Sequence, residues 1–346
     1  MLGFFVVVFE NKIHGGNIMK VKLKKILKST LVLSTLIVGL PMTSQAQDVE
    51  REAITVGILQ FNEHGSLEEN RLGFIDGLSE LGYVEGENLT INYVNAAAEV
   101  SQLPSLAESI VKDSDYLFAI ATPAAQALAN ATQDKVIMFS SVADPIGAGV
   151  VENFEAPGSN LTGTTNIGPI EKQITGVLLP LIPEAKKIGL IYNSSEINSQ
   201  YQVDIAIPII EEEGLEAVVR TISSTNDISA SMNALVNEGV DGIYLVTDNY
   251  IASSMALVGE IAKEAGIPLV GGSNDMIEEN GLATYGLDYY ELGVQTANML
   301  GKIIDEDLDP DTVPVEMANH LELVVNEDYA KAINIDPQTI YNLIKE

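Results

Sequence analysis

Short apolar runs alternate with longer stretches of helical spacing along most of this chain, beginning with ITVGIL at Ile54 to Leu59. That run is apolar almost throughout and bounded by polar residues, the pattern of a strand buried on both faces. After a polar loop, SLEENRLGFIDGLSELGY puts Leu67, Phe74, Ile75 and Leu78 on one side of a helix, with Ser66 expected as its cap. A strand at Leu89 to Val94, a helix near Leu103 to Val111, a strand at Tyr116 to Ala121, a helix from Pro123 and a strand at Lys135 to Phe139 follow. Strict alternation of strand and helix predicts a parallel sheet covered by helices.

The pattern then restarts. KIGLIYN (Lys187 to Asn193) has the character of the opening strand, and a helix through Tyr201 to Glu212 follows it. A strand at Ala217 to Thr221, a helix at Ile228 to Val236, a strand at Ile243 to Thr247, a helix at Ala252 to Ala265 and a strand at Pro268 to Gly271 complete a second set. The remainder, GLATYGLDYYELGVQTANMLGKII, an acidic turn, a strand near Leu321 to Val325 and two short helices, is too little to bury a core of its own. The expected fold is therefore α/β: two similar doubly wound parallel-sheet lobes joined by a three-crossing hinge. Lobe 1 would comprise 53–165 with about 284–318, and lobe 2 would comprise 168–283 with about 319–346. Such a hinge permits rotation and resists separation.

Ligands of parallel α/β sheets sit beyond the carboxyl ends of the strands, so the strand-end loops of both lobes should line one cleft. At Leu117 to Gln126 an apolar strand runs into an alanine-rich helix opened by Pro123. This aims the Thr122 hydroxyl and the N–H groups of residues such as Ala124 at one small volume, a corner suited to a carboxylate. The bland alternative is that Thr122 only caps the helix. Lobe 1 also offers His64, Ser141 and Asp144; lobe 2 offers Asn193, Ser195, Glu196, Asn198, Asp248, Asn249 and Asp275. Hydroxyls for a carboxylate, carboxylates for an ammonium and amides for either make a zwitterion site. Taken singly, Asp144 before Pro145 and Asp248 before Asn249 also suit turns or caps, and Arg71 beside Glu68 suits a surface ion pair. Tyr289 and Tyr290 suit either packing or the wall of an apolar subsite.

Composition narrows the chemistry. The 346 residues contain no cysteine and three scattered histidines, His14, His64 and His320, which argues against thiolate catalysis, disulfides and a metal site; no cofactor is expected. The N-terminus carries a secretory signature from Met19: a basic stretch, an apolar core from Leu31 to Leu40, and Ser44-Gln45-Ala46 as a cleavage site. Residues 19–46 read as a signal peptide, with 1–18 an over-extended start, and the product as periplasmic or secreted. Cleavage after Ala46 leaves 12 basic and 48 acidic side chains, a net charge of −36. A surface that acidic disfavours nucleic acid and anionic lipid as partners.

HGSLEENRLGFIDGL, ATPAAQALANAT, FSSVADPIGAG, NLTGTTN, IGLIYNSSEINS, YLVTDN and GLDYYELGVQTANM stand in an order that resembles the ABC-transporter substrate-binding proteins of the tryptophan-binding type, from about residue 54 to 320. The resemblance implies a type I periplasmic-binding-protein fold, an aromatic or other hydrophobic amino acid as ligand, and an ABC permease with its ATPase as partners of a monomeric receptor. By position, Thr122, Ser141, Asp144, Asn193, Ser195, Glu196, Asn198, Asp248 and Asn249 fall on family motifs. Two loops depart from the pattern. Gly65 stands where the family's first loop usually has proline, and Ser273-Asn274 precede Asp275 where an acidic pair is common, so the family does not name the ammonium partner. Two other readings remain: a ligand-sensing subunit for a chemoreceptor or kinase, and a cleft enzyme using Glu196 with Asp248 as a carboxylate pair.

Overall fold

The computed structural model describes residues 51–344; the signal-peptide expectation for 19–46 lies outside them. Two six-stranded sheets form the framework. In the first, β1 (Ile54–Gln60) pairs in parallel with β2 (Leu89–Asn95) on one side and β3 (Tyr116–Ile120) on the other, followed by β4 (Ile137–Ser140), β5 (Leu161–Thr165) and, at the edge, β11 (Glu316–Met317). The second sheet repeats this order. Its β6 (Lys187–Asn193) lies between β7 (Glu216–Ile222) and β8 (Gly242–Leu245), then come β9 (Leu269–Gly271), β10 (Ala283–Leu287) and β12 (Leu321–Val325). Both sheets have their topological switch point beside the first strand, between β1 and β3 and between β6 and β8. A crevice opens at such points.

Two expectations about the chain's course change. The strand Ala283–Leu287 was expected to join lobe 1 with its helix; it pairs instead with β9 and, antiparallel, with β12 in the second sheet. The chain therefore crosses after β10 rather than before it, and the second sheet ends in an antiparallel pair. The physical reason is pairing: Ala283 packs in the lobe 2 core, and β9 and β12 on either side take up the strand's backbone groups.

The helix that follows, Tyr289–Glu306, lies along the helix Gly65–Glu80 of lobe 1. Glycines let the two backbones meet: a Cβ on Gly73 would stand 2.0 Å from the Tyr290 carbonyl oxygen, and one on Gly293 would stand 2.1 Å from that of Asn70. This contact fixes Asn70 and Tyr289, both buried, beside the cleft. Beneath it Phe74 stacks on Phe118 with ring centroids 3.9 Å apart. Ser66 does not cap Gly65–Glu80; His64 occupies the cap position and the Ser66 hydroxyl points across the cleft.

Candidate functional site

The two lobes meet through direct hydrogen bonds. Ser66 Oγ lies 2.8 Å from Ser273 Oγ, Asn62 Nδ2 donates to the Asn249 carbonyl at 3.1 Å, and Tyr250 Oη donates to the Ala98 carbonyl at 3.2 Å. Between the lobes lies a narrow cavity of about 20 Å³. Its wall includes Ser141 and Leu67 from lobe 1, Asn166 from the first crossing, Asn198, Asp248 and Asn249 from lobe 2, and Tyr289 from the second crossing. His64, Ser66, Ala252 and Met276 line both this cavity and an outer space of about 170 Å³ that opens to solvent.

Lobe 1 contributes two strained corners. Ala121, at the end of β3, has φ +79° and ψ 157°, and Ser141, just past β4, has φ +59°. Side chains rarely adopt such backbone, which costs about 1–3 kcal/mol per residue and is retained where surroundings enforce it. The Ala121 N–H donates to the Ser140 carbonyl, tying the corners together. Thr122 does not cap its helix: Ala121 holds the cap position, and Thr122 Oγ1 is buried with no hydrogen-bond partner. Ser141 Oγ is in the same state. The Ala124 and Ala125 N–H groups, expected to face an anion, are both turned onto the Ala121 carbonyl. Asp144 lies outside the cavity wall and closes a turn by accepting from the Gly147 N–H at 2.8 Å.

Lobe 2 is organised around two buried carboxylates. Asp248 Oδ2 accepts the Asn193 N–H at 2.7 Å, and Oδ1 accepts those of Tyr250 and Ile251 at 2.9 and 3.0 Å. With three backbone donors shared over both oxygens it pins the loop after β8 to the end of β6. Glu196 Oε2 accepts Asn198 Nδ2 at 3.0 Å, the Asn249 N–H at 3.2 Å and Asn249 Nδ2 at 2.8 Å, while Oε1 is buried and unpaired. Burial, reinforced by the Asp248 charge, pushes Glu196 up to about 8. Ser195 is exposed, and both its N–H and its hydroxyl bind Asn193 Oδ1; it orients Asn193, whose Nδ2 is buried and unpaired.

The remaining expected residues are His64, Asn198, Asn249 and Asp275. Asn198 lines the cavity with Oδ1 unpaired. Asn249 bridges the lobes, its Oδ1 3.3 Å from His64 Nε2. Asp275 borders the outer space and not the inner cavity, and burial raises it to about 6 against a hydrogen bond from Ser66. Asn166 was missed by the strand-end reading although it closes NLTGTTN just past β5. Its Nδ2 donates to Tyr289 Oη at 2.7 Å and its Oδ1 is buried and unpaired. Tyr289 is thus a cavity wall, whereas Tyr290 donates outward to Asp76. Arg71 pairs with Glu68.

Two repeated lobes with an inter-lobe cavity lined by unpaired polar atoms define a solute receptor. The family model for "ABC transporter substrate binding protein" matches residues 55–341, and the chain belongs to that family. It is 36% identical over 289 residues to the tyrosine-binding protein of Clostridioides difficile (strain R20291), covering 83% of each chain. Among solved structures it resembles an ABC domain from Streptococcus pneumonia in complex with L-Trp (31% identity, TM-score 0.78, 84% of this chain and 98% of that one). It also resembles a ligand-free, open substrate binding protein with adhesive properties from Clostridium difficile (36% identity, TM-score 0.65, 82% and 96%). The fit is better to the L-Trp complex than to the open structure despite the lower identity, in keeping with lobes that are closed here. These relatives are binding proteins, and the chain is a substrate-binding protein and not an enzyme. Among the described residues no helix is long and apolar enough to cross a membrane.

Proposed function

We propose that the chain binds an aromatic amino acid as its zwitterion between the lobes and delivers it to an ABC permease outside the cytoplasmic membrane. The observation that carries this reading is that unpaired buried polar atoms of both kinds lie at the cleft, with those of Ser141, Asn166 and Asn198 on the cavity wall and those of Thr122 and Glu196 behind it. On lobe 1, Thr122 Oγ1 and Ser141 Oγ are hydroxyls that can donate to a carboxylate. On lobe 2 and the first crossing, Glu196 Oε1, Asn198 Oδ1 and Asn166 Oδ1 are acceptors, the complement of an ammonium with three donors. Leaving such atoms buried and unmade costs about 1–3 kcal/mol each, and a zwitterion spanning the cleft satisfies both sets at once. Glu196 holds the ammonium, because its Oε1 is unpaired, whereas both oxygens of Asp248 already accept backbone N–H groups and Asp275 borders the outer space.

Leu67, Ala252, Met276 and Tyr289 provide an apolar wall for the side chain, and methionine sulfur suits an aromatic ring. The ligands named for the relatives, tyrosine and L-Trp, agree with that wall. The cavity as closed here is narrow, so the ligand enters the opened cleft and its contacts draw the lobes together. A thermal-shift screen of the chain from Gln47 onward against the common L-amino acids tests the reading. Tyrosine or tryptophan should raise Tm, and a ligand at 100 Kd should add about 2.7 kcal/mol to stability. No shift with any aromatic amino acid would refute it.

A further inference from the structure

We infer that His64 Nδ1 is the acceptor for a hydrogen-bond donor on the ligand's ring, so that the site selects tyrosine and tryptophan over phenylalanine. This rests on the zwitterion reading above and adds to it the residue that chooses among aromatic side chains.

The proton's position on His64 follows from its neighbours. Glu196 Oε2 accepts both the backbone N–H and the Nδ2 of Asn249, at 3.2 and 2.8 Å, so the Asn249 amide is fixed with Oδ1 on its other side. That oxygen, which can only accept, lies 3.3 Å from His64 Nε2. Nε2 therefore carries the hydrogen and Nδ1 a bare lone pair. Nδ1 is buried and has no partner. Burial holds the ring's pKa down at about 4, so the lone pair persists at neutral pH.

His64 shares the inner cavity with the ammonium acceptors Asn166 and Asn198 but, unlike them, also faces the outer space. It stands in the wall shared by the inner cavity and the outer space, with Ser66, Ala252 and Met276. Two of those three are apolar, and Ser66 Oγ is already engaged by Ser273 at 2.8 Å. Met255 and Ala256 continue the apolar surface outward along one side, with Glu63, Asp275 and Glu279 at the solvent edge of the outer space. A ring projecting from the polar end would follow this surface and meet one open polar atom in the shared wall, Nδ1. A phenol O–H or indole N–H satisfies it; a phenyl ring buries it unmet. A site built around a side-chain donor rejects an analogue lacking that donor for this reason.

Calorimetric titration of the wild-type chain with L-tyrosine, L-tryptophan and L-phenylalanine tests the assignment. Phenylalanine should bind about ten- to a hundredfold more weakly than tyrosine. His64→Leu should bring the tyrosine and phenylalanine constants within about threefold of each other, and His64→Gln, which keeps an acceptor, should retain part of the preference. If His64→Leu fails to fold, the wild-type preference and His64→Gln decide. Equal wild-type affinities, or full preference in His64→Leu, would overturn the inference while leaving the zwitterion reading intact. If no aromatic amino acid binds the wild type, that reading fails and the inference falls with it.

Discussion

Ligand binding should expel a proton from Glu196. In the free protein burial and the neighbouring Asp248 hold this carboxyl up at about 8, so at pH 7 about nine-tenths of the molecules carry the proton. An ammonium about 4 Å away contributes about 4 kcal/mol at an effective dielectric of 20. At about 1.4 kcal/mol per pKa unit this is enough to bring Glu196 from about 8 to about 5. Binding at pH 7 should then release nearly one proton per ligand, and affinity should rise about tenfold per pH unit between about 6 and 8. Isothermal titration in buffers of different ionisation enthalpy reads the proton directly, as the slope of apparent binding enthalpy against buffer enthalpy. Glu196→Gln should abolish the slope and weaken binding by about 2–5 kcal/mol, the range for removing one member of a buried charge pair.

The same group makes a stability claim of fixed sign. Its folded pKa lies above the ordinary glutamate value of 4.5, so its favourable contribution is complete below about 4.5 and lost as pH rises through about 8. The ligand-free chain should therefore lose Tm over that range more steeply than Glu196→Gln. A zero buffer slope together with unchanged affinity in Glu196→Gln would refute the reasoning.

Two other outcomes follow from the geometry. Thr122→Val and Ser141→Ala each remove a hydroxyl with no protein partner, so each should weaken ligand binding by about 1.5–3 kcal/mol, the worth of a hydrogen bond to a charged group, with Tm of the free chain unchanged or raised. Gly73→Ala should act oppositely, lowering stability by about 1–3 kcal/mol in urea denaturation, because its Cβ would stand 2.0 Å from the Tyr290 carbonyl.

The repeated strand–helix order and the switch points were legible in the sequence because buried parallel strands read as short apolar runs. The sheet membership of Ala283–Leu287 was not, since the run looks alike in either lobe and its antiparallel partner, β12, lies some forty residues on. Within the site, residue type pointed to His64, Ser141, Asn198, Asp248 and Asn249, which lie on the cavity wall. It could not say which polar groups the protein uses itself. Asp144 and Asp248 accept backbone N–H groups, Ser195 donates to the Asn193 side chain, and the Ala124 N–H satisfies a carbonyl, by local geometry that neighbouring residues set. The unpaired atoms stand out only once every partner is known. Asn166 escaped because it follows a strand whose threonines and glycine gave no apolar run.

A crystal structure of the chain grown with L-tyrosine or L-tryptophan tests the central claim most directly. The carboxylate is expected against Thr122 and Ser141, and the ammonium against Glu196 and Asn198. An empty cleft at saturating ligand, or a ligand seated with its carboxylate toward Glu196, would contradict it.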